Sequence, residues 1–144
     1  MSYAKIYLHC VWSTKKRQCK IPFSFRPLLL AHFKEKCNEE NIFLDFVNAH
    51  VDHVHALISL GKQQNIADIM QLIKGESSYW INEMKILPYH FLWQDDYWVA
   101  SVSYSHVNRV REYIKNQDAH HKKETWDKEL NRFLIKNNFE KHSD

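Results

Sequence analysis

Three features of the 144-residue chain predict an α+β fold. Apolar and polar residues alternate in several short stretches, most cleanly in Asp52-His53-Val54-His55-Ala56-Leu57-Ile58-Ser59-Leu60. Alternation at period two reads as a half-buried strand. Longer segments between these stretches repeat their apolar residues at three and four positions, the mark of amphipathic helices. The elements run β-α-β-β-α-β, with further helices behind them. That order predicts a ferredoxin-like, RRM-like antiparallel sheet with additional C-terminal helices. A chain of this length buries a proper core as one domain. The expectation is a single domain over residues 1–144, with a helical extension from about residue 120.

Each element has its own warrant. Residues 4–13 read as the first strand, with Ala4, Ile6, Leu8, Cys10 and Trp12 on one face and Lys5, Tyr7, His9, Val11 and Ser13 on the other. Pro22 and Pro27 bracket a loop, and Pro27 suits the first turn of a helix over 27–40 striped by Leu29, Leu30, Phe33 and Cys37. Residues 42–49 make a second strand, and a tight connection at Asp52 pairs it with the histidine strand as a hairpin. Gly61 closes that third strand. A second helix over 65–84 gathers Ile66, Ile69, Met70, Ile73, Ser77, Trp80, Ile81 and Met84 into one arc. Residues 98–103 form the fourth strand. A third helix spans 105–119 with Ser105 as its N-cap, and a fourth spans 123–137 with the seam Trp126, Leu130, Phe133 and Leu134. The first two helices cover the sheet face of Val54, Ala56, Ile58 and Leu60. The face bearing His53 and His55 is left for a later helix or a ligand.

Composition narrows the function classes. A hydrophobic fraction of 44% with 26% charged residues is that of an ordinary globular protein. Only two glycines and three prolines argue against flexible linkers. A net charge of +3 permits a nucleic-acid partner without demanding one. Cys10, Cys19 and Cys37 form no C-x-x-C pair and are odd in number, which points to a reducing, cytoplasmic compartment and away from disulfide or zinc-ribbon frameworks. No apolar run approaches the roughly 20 residues of a membrane span, and the first residues lack a signal-peptide pattern. No membrane partner is expected.

The histidine strand carries the first candidate site. His53 and His55 share a face, with Cβ atoms roughly 6.5–7 Å apart at the rise of a strand. Two imidazoles at that spacing can converge on one ion or one phosphate. On the third helix, Tyr113 and Gln117 stand at i and i+4 and project together. Gln117 then becomes a third ligand beside the imidazoles, and Tyr113 a nucleophile next to the metal. A bound Mg2+ or Mn2+ polarises a phosphate, and a tyrosine oxygen can attack it in line to leave a covalent phosphotyrosine. The linkage energy is kept in the adduct, so rejoining needs no ATP. Tyr79 and Glu83 are a rival i, i+4 pair, but they lie opposite the apolar stripe of a helix that packs on the far side of the sheet. Lys15, Lys16, Arg17 and Lys20 make a basic cluster beside aromatic residues, suited to a phosphate backbone.

His53-Val54-His55 resembles the His-hydrophobic-His motif of the HUH endonucleases, and Tyr113-Ile114-Lys115-Asn116-Gln117 resembles the single-tyrosine helix of insertion-sequence 200/605 type transposases. Trp12 to Lys15, Trp93-Gln94-Asp95, Ser101-Val102-Ser103 and Tyr113 to His121 are similar to that family as well, so the resemblance covers roughly residues 3–125. It departs after Gln94-Asp95, where Asp96 and Trp98 stand in place of small residues. The resemblance implies a DNA transposase that nicks and rejoins single-stranded DNA at hairpin-bearing element ends through a 5′-phosphotyrosine. It implies Mg2+ or Mn2+, and a homodimer, although relatives associated with repetitive palindromic elements can be monomeric. It implies Tyr113 as nucleophile and His53, His55 and Gln117 as ligands. Lys15, Lys16, Arg17 and Lys115 would then contact DNA, with Lys122 and Lys123 as further candidates; His120 and His121 read as surface residues. Action would be cytoplasmic, on the nucleoid. The rival class is a catalytically silent module that grips single-stranded hairpin DNA, or RNA, without cutting.

Overall fold

The computed structural model describes residues 1–15, 19–117 and 125–139. Four strands, β1 (Tyr7–Ser13), β2 (Phe43–Ala49), β3 (His53–Ser59) and β4 (Trp98–Val102), form one sheet in the order β2-β3-β1-β4. All three pairings are antiparallel. Helix α1 (Arg26–Glu39) connects β1 to β2, and α2 (Ile66–Glu83) connects β3 to β4. This is the ferredoxin-like α+β arrangement. Helices α3 (Val107–Lys115) and α4 (Trp126–Lys136) follow it.

The sheet divides the interior in two. On one face, Leu8, Cys10, Trp12, Val54, Ala56 and Ile58 pack against Leu29 and Phe33 of α1 and Ile69, Met70, Ile73 and Ile81 of α2. These are the residues that the period-two and helical patterns assign to that face. Burying such side chains contributes about 1.5–3 kcal/mol each. On the other face, Tyr7 and Leu57 meet Val107 and Ile114 of α3, while Val11 and Ala100 meet Trp126 and Phe133 of α4. Of the two occupants expected for the histidine face, a later helix or a ligand, the later helices α3 and α4 roof it.

Several boundaries differ from expectation for local reasons. Strand β1 begins at Tyr7 rather than Ala4, although Ile6 still accepts from the Leu60 amide at 2.7 Å. Helix α3 does not start from a Ser105 cap: a 3-10 turn over Tyr104–His106 precedes it, and no side chain caps either element. Helix α2 is capped by Asn65, which accepts from the Asp68 amide at 3.0 Å. In β2 the register to β3 shifts between Leu44 and Phe46, a bulge that leaves Asp45 as the extra residue. The expected boundary near residue 120, and the start of the fourth helix at 123, lie outside the described residues.

Candidate active site

Strand β3 presents His53 and His55 on the face beneath α3 and α4, flanked by β1, whose Ser13 pairs with His53 and Val11 with His55. Both imidazoles are buried, at 0% and 1% exposure. His53 Nδ1 donates to Asp52 Oδ1 at 2.8 Å. His53 Nε2 faces Gln117 Oε1 at 3.2 Å and Glu129 Oε2 at 3.5 Å. His55 Nε2 stands 2.9 Å from Glu129 Oε1, and its Nδ1 lies 2.8 Å from His9 Nε2. Trp126 stacks on His53, with centroids 4.1 Å apart and planes 16° from parallel.

Helix α3 delivers the phenol. The Tyr113 hydroxyl donates to Glu129 Oε1 at 2.5 Å, and its ring lies edge-on to His55 at 5.5 Å. Gln117, one turn on, is buried and donates through Nε2 to the Tyr113 carbonyl at 3.2 Å. Two anchors fix this helix to its own sheet. Arg111 makes a bidentate pair with Asp45, both contacts at 2.7 Å, and Asn48 Nδ2 donates to the Ile114 carbonyl at 2.9 Å. The bulge at Asp45 thus serves the placement of Tyr113.

Glu129 is the residue that sequence reasoning missed. It is fully buried on α4, three residues after Trp126 and four before Phe133, on the stripe that both of those residues bury. An acidic residue inside an apolar stripe was the available signal, since burying a carboxylate is costly unless partners receive it. Thr125 caps the helix by accepting from the Lys128 amide.

The electrostatics follow from burial and from these contacts. Burial pulls the His53 pKa down, but the hydrogen bonds to Asp52 and Glu129 outweigh it, so the net shift is upward. The spot between His53 and Glu129 therefore favours positive charge. His9 is held well below its ordinary value, by burial first and by its neighbour His55 second. Tyr113 is raised far above an ordinary phenol, by burial and then by its bond to Glu129.

The donor set fits a divalent cation. His53, His55 and Glu129 each offer an atom within 4.8 Å of the others, and Gln117 Oε1 adds an amide oxygen. Mixed imidazole and oxygen donors suit Mn2+ or Mg2+. Beside Tyr113, a cavity of about 410 Å3 between β4, α3 and α4 is lined by His9, Ser101, Arg109, Arg132 and Lys136 among others. Of the basic residues expected to meet DNA, Lys15 lies just beyond β1 with its amide bonded to the Leu92 carbonyl, and Lys115 is exposed at the end of α3. Lys16, Arg17, Lys122 and Lys123 lie outside the described residues, as do His120 and His121. The rival Tyr79 is exposed on α2, on the opposite side of the sheet from the imidazoles. Among the described residues no helix is long and apolar enough to cross a membrane.

Comparison with known proteins bears on this arrangement. The model of the family described as "Transposase IS200 like" matches residues 2–117. No curated protein matches the chain. Among solved structures, a protein of Deinococcus radiodurans R1, described as a candidate transposase, is 24% identical with a TM-score of 0.62, the match covering 81% of this chain and 93% of that one. A REP-associated tyrosine transposase, solved bound to a REP hairpin, is 14% identical with a TM-score of 0.63, the match covering 84% of this chain and 72% of that one. At these identities the two structures speak to the fold. The family match runs through β1, the histidine strand and the tyrosine helix, and the chain belongs to the IS200-like transposase family.

Proposed function

We propose that this transposase is a metal-dependent single-strand DNA endonuclease and strand transferase, acting through a 5′-phosphotyrosine at Tyr113. The observation that carries this reading is the 2.5 Å bond from the Tyr113 hydroxyl to Glu129, whose carboxylate also reaches both imidazoles. A nucleophile, a proton acceptor and a cation-type donor set thus share one carboxylate. A silent binding module has no use for a half-buried phenol placed in this way.

The chain's residues would divide the work as follows. His53, His55, Glu129 and Gln117 hold a Mg2+ or Mn2+ ion, which when bound withdraws charge from the scissile phosphate. Asp52 orients His53. Tyr113 Oη attacks phosphorus in line as its proton passes to Glu129 Oε1, the P–O bond to the 3′ oxygen breaks as that oxygen takes a proton from water, and the 5′ phosphate stays on the tyrosine. A free 3′ hydroxyl then reverses these steps to rejoin a strand. Lys15, Lys16, Arg17 and Lys115 would hold the DNA backbone, and the cavity lined by Arg109, Arg132 and Lys136 supplies further cationic surface beside Tyr113. The relative solved with a REP hairpin supports single strands bearing hairpins as the partner. All four donors and the nucleophile come from one chain, so a homodimer is not required to assemble the site.

The test is covalent capture. Incubation with a labelled single-stranded hairpin oligonucleotide and Mn2+, followed by a denaturing gel, should show a protein–DNA adduct. Tyr113→Phe should abolish the adduct while hairpin binding survives, and chelation should stop the reaction until Mn2+ or Mg2+ is restored. An adduct formed by the Phe variant would remove Tyr113 from the mechanism.

A further inference from the structure

On the face of the sheet that carries it, the proposed metal site leaves one buried imidazole among the described residues without a role, that of His9 on β1. The register sets His9 opposite Leu57 and Val11 opposite His55, which makes His9 the diagonal neighbour of His55 on the same face. Their rings are 5.0 Å apart, and His9 Nε2 lies 2.8 Å from His55 Nδ1. The edge of Phe133 at 5.1 Å and that of Tyr113 at 6.0 Å help box the His9 ring in place. Two facing imidazole nitrogens at hydrogen-bond distance share a single proton, so one donates and the other accepts.

We propose that His9 is a positioning residue that sets which nitrogen of His55 is offered to the cation. For His55 Nε2 to present a lone pair, the ring must carry its proton on Nδ1, and His9 Nε2 must accept it. Asp52 does the corresponding work for His53. The two partners are not equivalent, however. A carboxylate only accepts, whereas an imidazole donates or accepts as its tautomer dictates. His9 Nε2 accepts from His55 only while the proton of His9 sits on its own Nδ1, so the tautomer of His9 fixes that of His55 and both rings stay neutral.

This inference rests on the metal site proposed above, and its test separates the two. Long-range 1H–15N spectra of the full chain labelled at histidine, recorded with and without Mg2+, read the tautomer directly. In the Mg2+-loaded protein His55 Nδ1 should give the protonated-type signal and His9 Nε2 the unprotonated type. In His9→Phe, Mn2+ affinity measured calorimetrically should fall roughly 10–100-fold, the usual effect of losing an outer-shell partner. His9→Gln, whose amide can donate or accept, should recover most of that loss. Unchanged Mn2+ affinity in His9→Phe would overturn the role of His9 while leaving the metal site standing. So would a His55 Nδ1 that stays unprotonated in the Mg2+-loaded wild type, a result that needs no variant to fold. Failure of the wild type to bind either cation would overturn both.

Discussion

Glu129 has no exposed surface, yet its carboxylate touches a phenol and approaches two imidazoles. Replacing it with Gln keeps the volume and removes the charge. Mn2+ affinity, read by calorimetry, should then fall by at least the roughly 10–100-fold that an outer-shell partner commonly costs, and adduct formation should fall with it. Affinity equal to wild type would exclude Glu129 as a donor to the cation. The other members were legible in the sequence because each is fixed by a period inside one element. Two residues along a strand bring His53 and His55 to one face, and four along a helix bring Tyr113 and Gln117 together. Glu129 belongs to a different element, and no local period states which helix will cover which sheet face. His9 was legible as a position on a strand face, but its partner was not, because the pairing depends on the register between β1 and β3.

At the scale of elements, α3 matters for where it is held. Its nine residues are too few for a helix stable by itself in water. Its position comes from Val107 and Ile114 against the sheet, from the Asp45–Arg111 pair and from Asn48 at its C-terminal carbonyls. Asn48→Ala removes the donor to Ile114 and leaves that carbonyl short of a partner. It should lower stability by about 1–3 kcal/mol, seen as a lower urea midpoint with an unchanged slope. A midpoint equal to wild type would show that the anchor is not needed. The order and type of the elements could be read in advance because long apolar stripes and strict alternation are strong signals. Their ends could not. The 3-10 turn at Tyr104–His106 takes the place of a Ser105 cap, and the bulge at Asp45 breaks an otherwise regular strand for a contact 66 residues away. The bulge serves that tertiary partner, while the turn closes on its own backbone, the His106 amide donating to the Ser103 carbonyl.

At the scale of the whole molecule, the sheet is a platform whose two faces do different work. One face is a conventional apolar interior beneath α1 and α2. The other spends buried volume on histidines, an amide and a carboxylate under α3 and α4. The family resemblance implies a homodimer, and in a dimer the tyrosine helix of one subunit has the option of serving the site of the other. Here Tyr113 meets the Glu129 and His55 of its own chain. Mixing Tyr113→Phe protein with His53→Ala protein in equal amounts should therefore give no adduct on hairpin DNA, whereas a site shared across subunits would regain about a quarter of its competent sites, one in each mixed dimer. Recovery in the mixture would show that the helix exchanges between chains. The clasp of Arg111 on Asp45 gives the reason to expect none, and its consequence is kinetic. Under the proposed function, strand scission should be first order in protein, and it should persist undiminished per molecule at dilutions where any association between copies has been lost.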